Sequence, residues 1–216
     1  MRRRSARLAA SLCALLAAAD VSSVTGAESA TPDPWRTLER FRAALIAAGP
    51  TETEFVQTYV PAGFSTGEEE RGRLALALPD CLRWDYAEPY PKSFLLCGNE
   101  AFYWNAEDGA GRRYAIEREK EPGLDLLLLG VEELRRRYDA TAEAAGGRIA
   151  VILSPRREIV ELAGARLVVD ADSLRLVEVS YTDREGGRSR FVLTGHGPLA
   201  EDGLFSPPEG IEWQEG

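Results

Sequence analysis

Two cysteines and a concentration of aromatic side chains make residues 72–104 the most distinctive part of the chain. The segment holds seven of the 18 aromatic residues and two of the three cysteines. Apolar and polar residues alternate along it, which is the period of strands that bury one face. The rings on these strands include Trp84, Tyr86, Phe94, Phe102 and Trp104. They either pack a core or line an apolar cavity, and only the second alternative makes the sheet a binding site.

Cys81 and Cys97 lie opposite each other if residues 87–91, which include two prolines, turn a hairpin. The apolar residues that this register collects on one face are Leu82, Trp84, Tyr86, Phe94 and Leu96. Leu95 is the exception, because it falls on the polar face. A register slip of one residue would scramble the two faces. The pattern therefore favours a Cys81–Cys97 disulfide over two buried free thiols.

Residues 1–27 have the composition of a cleaved export signal. Four arginines precede an apolar stretch at residues 8–19, and the small residues 25–27 offer a cleavage point. The apolar stretch is shorter than the roughly 20 residues that anchor a helix in a bilayer. Cys13 lies inside that stretch and matches a lipid-attachment signal poorly. We therefore expect residues 28–216 to form one exported domain, in a compartment where disulfides persist.

Charge and motifs exclude several classes of function. The net charge of the chain is −9, so nucleic acid and anionic membrane surfaces repel it. No G-x-S-x-G, HExxH or glycine-rich phosphate loop is present. Asp85 and Glu88 are the best nominees for paired catalytic carboxylates, but no further pattern supports them. Two cysteines and the single histidine, His196, make a poor metal site. We expect neither an enzyme nor a cofactor.

The remaining pattern predicts one helix followed by two groups of strands. Asp33 caps a helix over residues 35–48, and Gly49-Pro50 ends it. Strands are predicted at 54–60, 72–78, 81–87, 92–97, 100–105 and 112–117, then at 139–144, 148–154, 165–171, 174–182 and 187–195. A polar connection is expected at 63–72, including the acidic run at 68–70, and a turn at His196. Strands in such succession favour an antiparallel sheet.

Two short helical pieces, broken near Gly130, are predicted between the two groups of strands, at residues 122–138. The first piece is apolar on nearly all sides, with leucines at 124 and 126–129. Such a helix has to be covered on all sides. It is therefore either part of a core or a lid over an apolar cavity.

Several motifs together resemble the periplasmic outer-membrane lipoprotein carriers, the LolA family. The pattern G-x-L-x-L-x-x-P-x-x-x-R-W-x-Y-x-x-P begins at Gly72 and ends at Pro89. A Phe-x-Gln element begins at Phe55, and an aromatic strand follows Gly98. The sequence FSPPEGI at residues 205–211 resembles the closing motif of the family. The resemblance extends over about residues 33–213.

The resemblance implies an α+β fold, a strongly curved antiparallel incomplete β-barrel of about 10–11 strands closed by short helices. It implies a periplasmic carrier, without cofactors, that binds the acyl chains of lipoproteins and moves them from the inner to the outer membrane. An inner-membrane release complex and an outer-membrane acceptor would be its partners, and we expect a monomer. The predicted lipid-binding residues are Leu74, Leu76, Leu82, Trp84, Phe94, Leu96, Phe102 and Leu127.

One departure from the family pattern concerns the lid. Family carriers have a basic residue just before the motif proline, where it is thought to hold the lid closed, and this chain has Leu78 there. We therefore expect the lid to close by apolar packing, without hydrogen bonds from a cation. The departure leaves room for another lipid-bearing cargo. The alternatives are a periplasmic lipid-sensing or regulatory protein on the same fold, and a structural protein whose aromatic residues only fill a core.

Overall fold

Twelve strands form one open, curved sheet in the computed structural model, which describes residues 31–105, 107–116, 124–156 and 162–216. The helices are α1 (Pro34–Ala48), α2 (Leu124–Leu128) and α3 (Val131–Arg137). The strands are β1 (Thr51–Val60), β2 (Glu68–Ala77), β3 (Cys81–Glu88), β4 (Lys92–Cys97), β5 (Glu100–Asn105), β6 (Ala110–Ala115), β7 (Tyr138–Ala145), β8 (Arg148–Pro155), β9 (Leu162–Asp170), β10 (Leu176–Asp183), β11 (Arg188–Pro198) and β12 (Glu212–Glu215).

The sheet runs in the order β12-β6-β5-β4-β3-β2-β1-β11-β10-β9-β8-β7. All neighbours are antiparallel except β12, which pairs with β6 in parallel. The predicted fold class is confirmed: an open, curved antiparallel sheet closed by short helices. The predicted signal segment, residues 1–27, lies outside the described residues. Within the described ranges, no helix has both the length and the apolar character needed to cross a bilayer.

Helix α1 forms where its capping residues predict it. The Asp33 carboxylate accepts a hydrogen bond from the backbone N–H of Arg36 at 2.8 Å, and Pro34 occupies the first turn. The helix ends at Gly49, whose φ of 72° suits glycine. Its buried face carries Leu38 and Phe41 together with a charged residue, Arg42.

The hairpin of β3 and β4 has the predicted register. Cys81 pairs with Cys97, and Trp84 pairs with Phe94. The two cysteines are bonded as a disulfide, as predicted. Leu95, which did not fit the apolar face, is fully buried on the opposite face. Both faces of this hairpin therefore pack against other parts of the chain.

Two packed clusters lie on opposite faces of the sheet. The inner face, defined here as the face that carries α1 and α2, holds the main core. The outer face holds a smaller cluster of Leu95, Phe102 and Trp104. Residues after β11 cover that cluster, and Trp213 of β12 contacts Phe102 with ring centroids 5.2 Å apart. The C-terminal segment thereby seals the outer face of β4 and β5 with apolar side chains: Phe205, Ile211 and Trp213.

The structure corrects three local predictions. The acidic run at residues 68–70 belongs to β2, because the hairpin with β1 continues to the Tyr59–Glu68 pair. Strand β12 was not predicted. His196 lies within β11 and not in a turn. A bulge beside it shifts the register between β1 and β11, and Gly195 has the positive φ of 64°.

Candidate functional site

A layer of leucines on the inner face lies in the same cluster as helix α2. Leu74, Leu76, Leu82 and Leu96 come from three adjacent strands, and each is at most 5% exposed. Leu127 of α2 is 3% exposed and packs in that cluster. Alternation along the strands brings the four sheet leucines to one face. Five of the predicted lipid-binding residues therefore lie in one cluster, four on the inner face of the sheet and Leu127 on the candidate lid.

Aromatic rings continue the inner face beyond the leucines. The ring centroid of Trp84 lies 6.3 Å from that of Phe94 and 6.3 Å from that of Phe191. Phe191 also contacts Phe55 at 5.8 Å, and Phe55 contacts Tyr86 at 5.0 Å. Trp84 and Phe94 remain half-buried, so this wall is less covered than the leucine layer. The indole N–H of Trp84 is buried and has no acceptor among the described residues.

Polar groups mark the end of the aromatic wall. The Tyr86 hydroxyl donates to Gln57 Oε1 at 2.7 Å. Lys92 Nζ lies 4.5 Å from the centroid of the Tyr86 ring and 2.5 Å from Glu70 Oε1. Burial, and secondarily Glu70, raise the pKa of Tyr86, so its hydroxyl stays a neutral donor. This end of the inner face is therefore amphipathic, apolar within and polar at its border.

A cavity of about 370 Å³ opens at the other end of the inner face, beside the C-terminal half of α1. Its walls are mostly apolar and include Phe41, Leu45, Leu74, Leu76 and Leu193. Leu174 also lines it and has φ of 55°, a left-handed conformation that is rare for a non-glycine residue. Such conformations persist where the surroundings hold them in place, and they cluster at ligand-binding positions.

The polar edge of this cavity includes His196 and Arg175. His196 Nε2 is buried and has no hydrogen-bond partner within the described part of the chain. Burial, and secondarily the charge of Arg175, lower the pKa of His196, which favours the neutral imidazole at neutral pH. Mostly apolar walls with a few polar groups at the mouth are typical of sites that hold an apolar chain with a polar end.

Helix α2 is held by a buried arginine, contrary to the prediction that its closure involves no cation. Arg42 of α1 is 7% exposed and donates from Nη1 to the Leu127 carbonyl at 2.5 Å and from Nη2 to the Leu128 carbonyl at 3.4 Å. The last carbonyls of a helix lack partners within the helix, and a cation satisfies them and complements the helix dipole. Burial lowers the pKa of Arg42, but an arginine remains charged in proteins.

Arg42 was not among the predicted functional residues, although the spacing of α1 contains a signal for it. Arg42 stands in a row with Leu38, Phe41 and Leu45, the i, i+3, i+4 and i+7 positions of one helix face. A charged residue in the middle of an apolar face requires a buried polar partner. The carbonyls of α2 are that partner.

One predicted lipid-binding residue lies on the opposite face of the sheet. Phe102 is not part of the inner face; the prediction is wrong, because β5 turns this ring toward Trp213 on the outer face.

Asp85, a nominee for acid–base chemistry, accepts hydrogen bonds from Arg83 at 3.0 Å and Ser93 at 2.6 Å. Among the described residues, no group of three or more His, Cys, Asp or Glu could hold a metal ion.

Comparisons with known proteins agree with this arrangement. The family model described as "Outer membrane lipoprotein carrier protein LolA" matches residues 49–206. An outer-membrane lipoprotein carrier protein of Chromobacterium violaceum is 24% identical over 188 residues, 85% of this chain and 89% of that one. One from Xanthomonas oryzae pv. oryzae is 27% identical over 168 residues, 74% and 78% of the two chains.

Among solved structures, an uncharacterized conserved protein from Thermus thermophilus shares the fold. Its TM-score is 0.53 at 13% sequence identity, and the match covers 83% of this chain and 97% of that one. At that identity the likeness concerns the fold alone. The family match covers most of the chain, from the end of α1 to the closing motif. The chain therefore belongs to the LolA family of outer membrane lipoprotein carrier proteins.

Proposed function

We propose that this protein is a periplasmic carrier that binds the acyl chains of lipoproteins on its inner face and moves them from the inner to the outer membrane. The observation that carries the proposal is the stack of leucines between the sheet and α2, continued by the aromatic wall and the cavity beside α1. Family membership supports the lipoprotein cargo. The protein acts by binding, without catalysis or a cofactor, and works as a monomer with an inner-membrane release complex and an outer-membrane acceptor.

An acyl chain and helix α2 compete for the same apolar wall. Burying a methylene is worth about 0.8 kcal/mol, and burying a leucine side chain about 1.5–3 kcal/mol. A chain of about ten buried methylenes therefore offsets the exposure of the three leucines at positions 126–128 of α2. The exchange leaves a small net free energy, which suits a carrier because the cargo has to be released again. Displacement of α2 is thus the loading step in this proposal.

Arg42 favours the closed position of α2 in this exchange. Its hydrogen bonds to the Leu127 and Leu128 carbonyls hold α2 against α1 when no chain is bound. A charged hydrogen bond contributes about 1.5–3 kcal/mol. That amount sets a threshold that the cargo has to exceed before α2 moves, and it restores the closed form after release.

The proposal is tested by titration with a fluorescent fatty acid that quenches tryptophan. We expect saturable binding with a Kd in the micromolar range, about −8 kcal/mol. Trp84 lies on the inner face, and Trp104 lies in the outer cluster. Trp35 also packs against the inner-face cluster, so both variants are made in a Trp35→Phe background. In that background the quenching should disappear in Trp84→Phe and persist in the matched control Trp104→Phe.

Two results would contradict the proposal. One is the absence of saturable binding up to the solubility limit of the fatty acid. The other is quenching that disappears with Trp104→Phe and survives Trp84→Phe, since that would place the chain on the outer face.

A further inference from the structure

The outer face carries a trough of about 520 Å³. The C-terminal segment covers the same face, but over β4 and β5 in the other half of the sheet. The trough crosses β1, β11, β10, β9 and β8. Three of its lining residues on two neighbouring strands are small: Ser180 and Thr182 of β10, and Gly164 of β9, which pairs with Thr182. No described helix packs on the outer face of these strands, and the outer-face side chains that line the trough are partly or fully exposed. The trough is therefore open to a partner.

Three arginines line the trough. Arg190 and Arg166 lie on either side of Ser180, and Arg188 pairs with Thr182. The Glu178 carboxylate is shared, at 3.0 Å from Arg166 Nη1 and 2.7 Å from Arg190 Nη2. Arg188 makes no ion pair with any residue that the structure describes.

The trough is consequently positive in a chain whose net charge is −9. Glu178 balances one of the three guanidinium charges. Two further carboxylates at the borders of the trough, Glu69 and Asp139, are balanced by arginines of their own, Arg71 and Arg156. Guanidinium groups bind carboxylates through two parallel hydrogen bonds, and the hydroxyls of Thr58, Ser180 and Thr182 offer further donors beside them.

We propose that this trough docks an acidic segment of a protein partner, with Asp or Glu side chains seated between Arg188, Arg190 and Arg166. A bilayer is a poorer fit for two reasons. The site is concave and crosses five strands, whereas a membrane surface is flat. The remaining charge of the chain also repels an anionic bilayer as a whole, while a short acidic segment meets only the local positive field. This docking surface is separate from the inner face and goes beyond the proposed function.

The test uses a fluorescein-labelled deca-glutamate peptide, followed by fluorescence anisotropy at about 0.15 M ionic strength, where the Debye length is about 8 Å. We expect saturable binding that Arg188→Glu weakens at least about tenfold, because the change replaces attraction by repulsion within the site. Arg73→Glu is the matched control. Arg73 is exposed on the outer face of β2, outside the trough, and the same charge change there should alter the affinity by less than about twofold.

The outcomes separate the proposal from its competitors. Equal weakening by Arg73→Glu and Arg188→Glu means attraction by overall charge and overturns the proposal. Absence of peptide binding overturns it, and so does Arg188-dependent binding of phosphatidylglycerol vesicles without peptide binding, which assigns the trough to a membrane. Both arginines are exposed, so the variants should keep the circular dichroism of the parent. Fatty-acid binding should be unchanged in Arg188→Glu, which distinguishes failure here from failure of the carrier function.

Discussion

Replacing Leu127 with aspartate is expected to displace α2 from the inner face and to weaken acyl retention strongly, with the sheet still folded. Leu127 is 3% exposed in the main cluster. The substitution removes about 1.5–3 kcal/mol of apolar burial, and burying the new carboxylate would cost several kcal/mol more. Together these two costs offset most of the roughly 4.5–9 kcal/mol that burial of three leucines contributes to closure, so α2 should open far more often.

Hydrogen exchange and circular dichroism together check this result. Amides of residues 126–129 should exchange much faster in Leu127→Asp, while those of β1, β2 and β11 keep their protection. The volume-conserving Leu127→Met is the matched control and should stay closed. Global unfolding of Leu127→Asp, with loss of the sheet signal, would mean that α2 is an integral part of the core and no lid.

The Arg42→Leu variant is expected to loosen the same helix by a different route. The substitution keeps an apolar side chain on the face of α1 but leaves the Leu127 and Leu128 carbonyls without their donor. Losing a charged hydrogen bond costs about 1.5–3 kcal/mol, which corresponds to roughly a tenfold to hundredfold increase in opening. Exchange at residues 126–129 should increase by that factor, and bound fatty acid should dissociate faster.

Arg40→Leu provides the control for the charge change. Arg40 lies on the exposed side of α1, so its loss should leave exchange in α2 unaltered. If Arg42→Leu exchanges at the parental rate, the hydrogen bonds do not hold the lid, and apolar packing alone does so. That result would agree with the expectation from Leu78 that the lid closes without hydrogen bonds from a cation.

The sequence was most informative where two independent constraints coincided. Alternation sorts the residues of β3 and β4, and the cysteine pair fixes which residues face each other, so the register was predictable. Strand β5 lacks such a constraint because Ala101, Phe102 and Trp104 supply apolar side chains to both faces. The face of Phe102 depends on Trp213, more than 100 residues later, and local pattern contains no information on that contact.

Contacts between residues far apart in the chain also explain the other differences between the predictions and the structure. The acidic run at residues 68–70 has the composition of a loop, yet its backbone pairs with β1, and Glu70 is compensated by Lys92. His196 between two glycines resembles a turn, whereas the glycine before it serves a bulge within β11. The partner of Arg42 is 85 residues away in the chain, so spacing could indicate that a partner exists but not which one.

Native mass spectrometry of the protein purified from the cells that produce it tests the carrier proposal most directly. We expect a population of ions whose mass exceeds that of the chain by the mass of an acylated protein or a lipid. This species should dissociate on collisional activation and should be strongly depleted in Leu127→Asp. A spectrum showing only the bare chain, with no acyl-bearing species in its organic extract, would contradict the proposal that the inner face carries acyl chains.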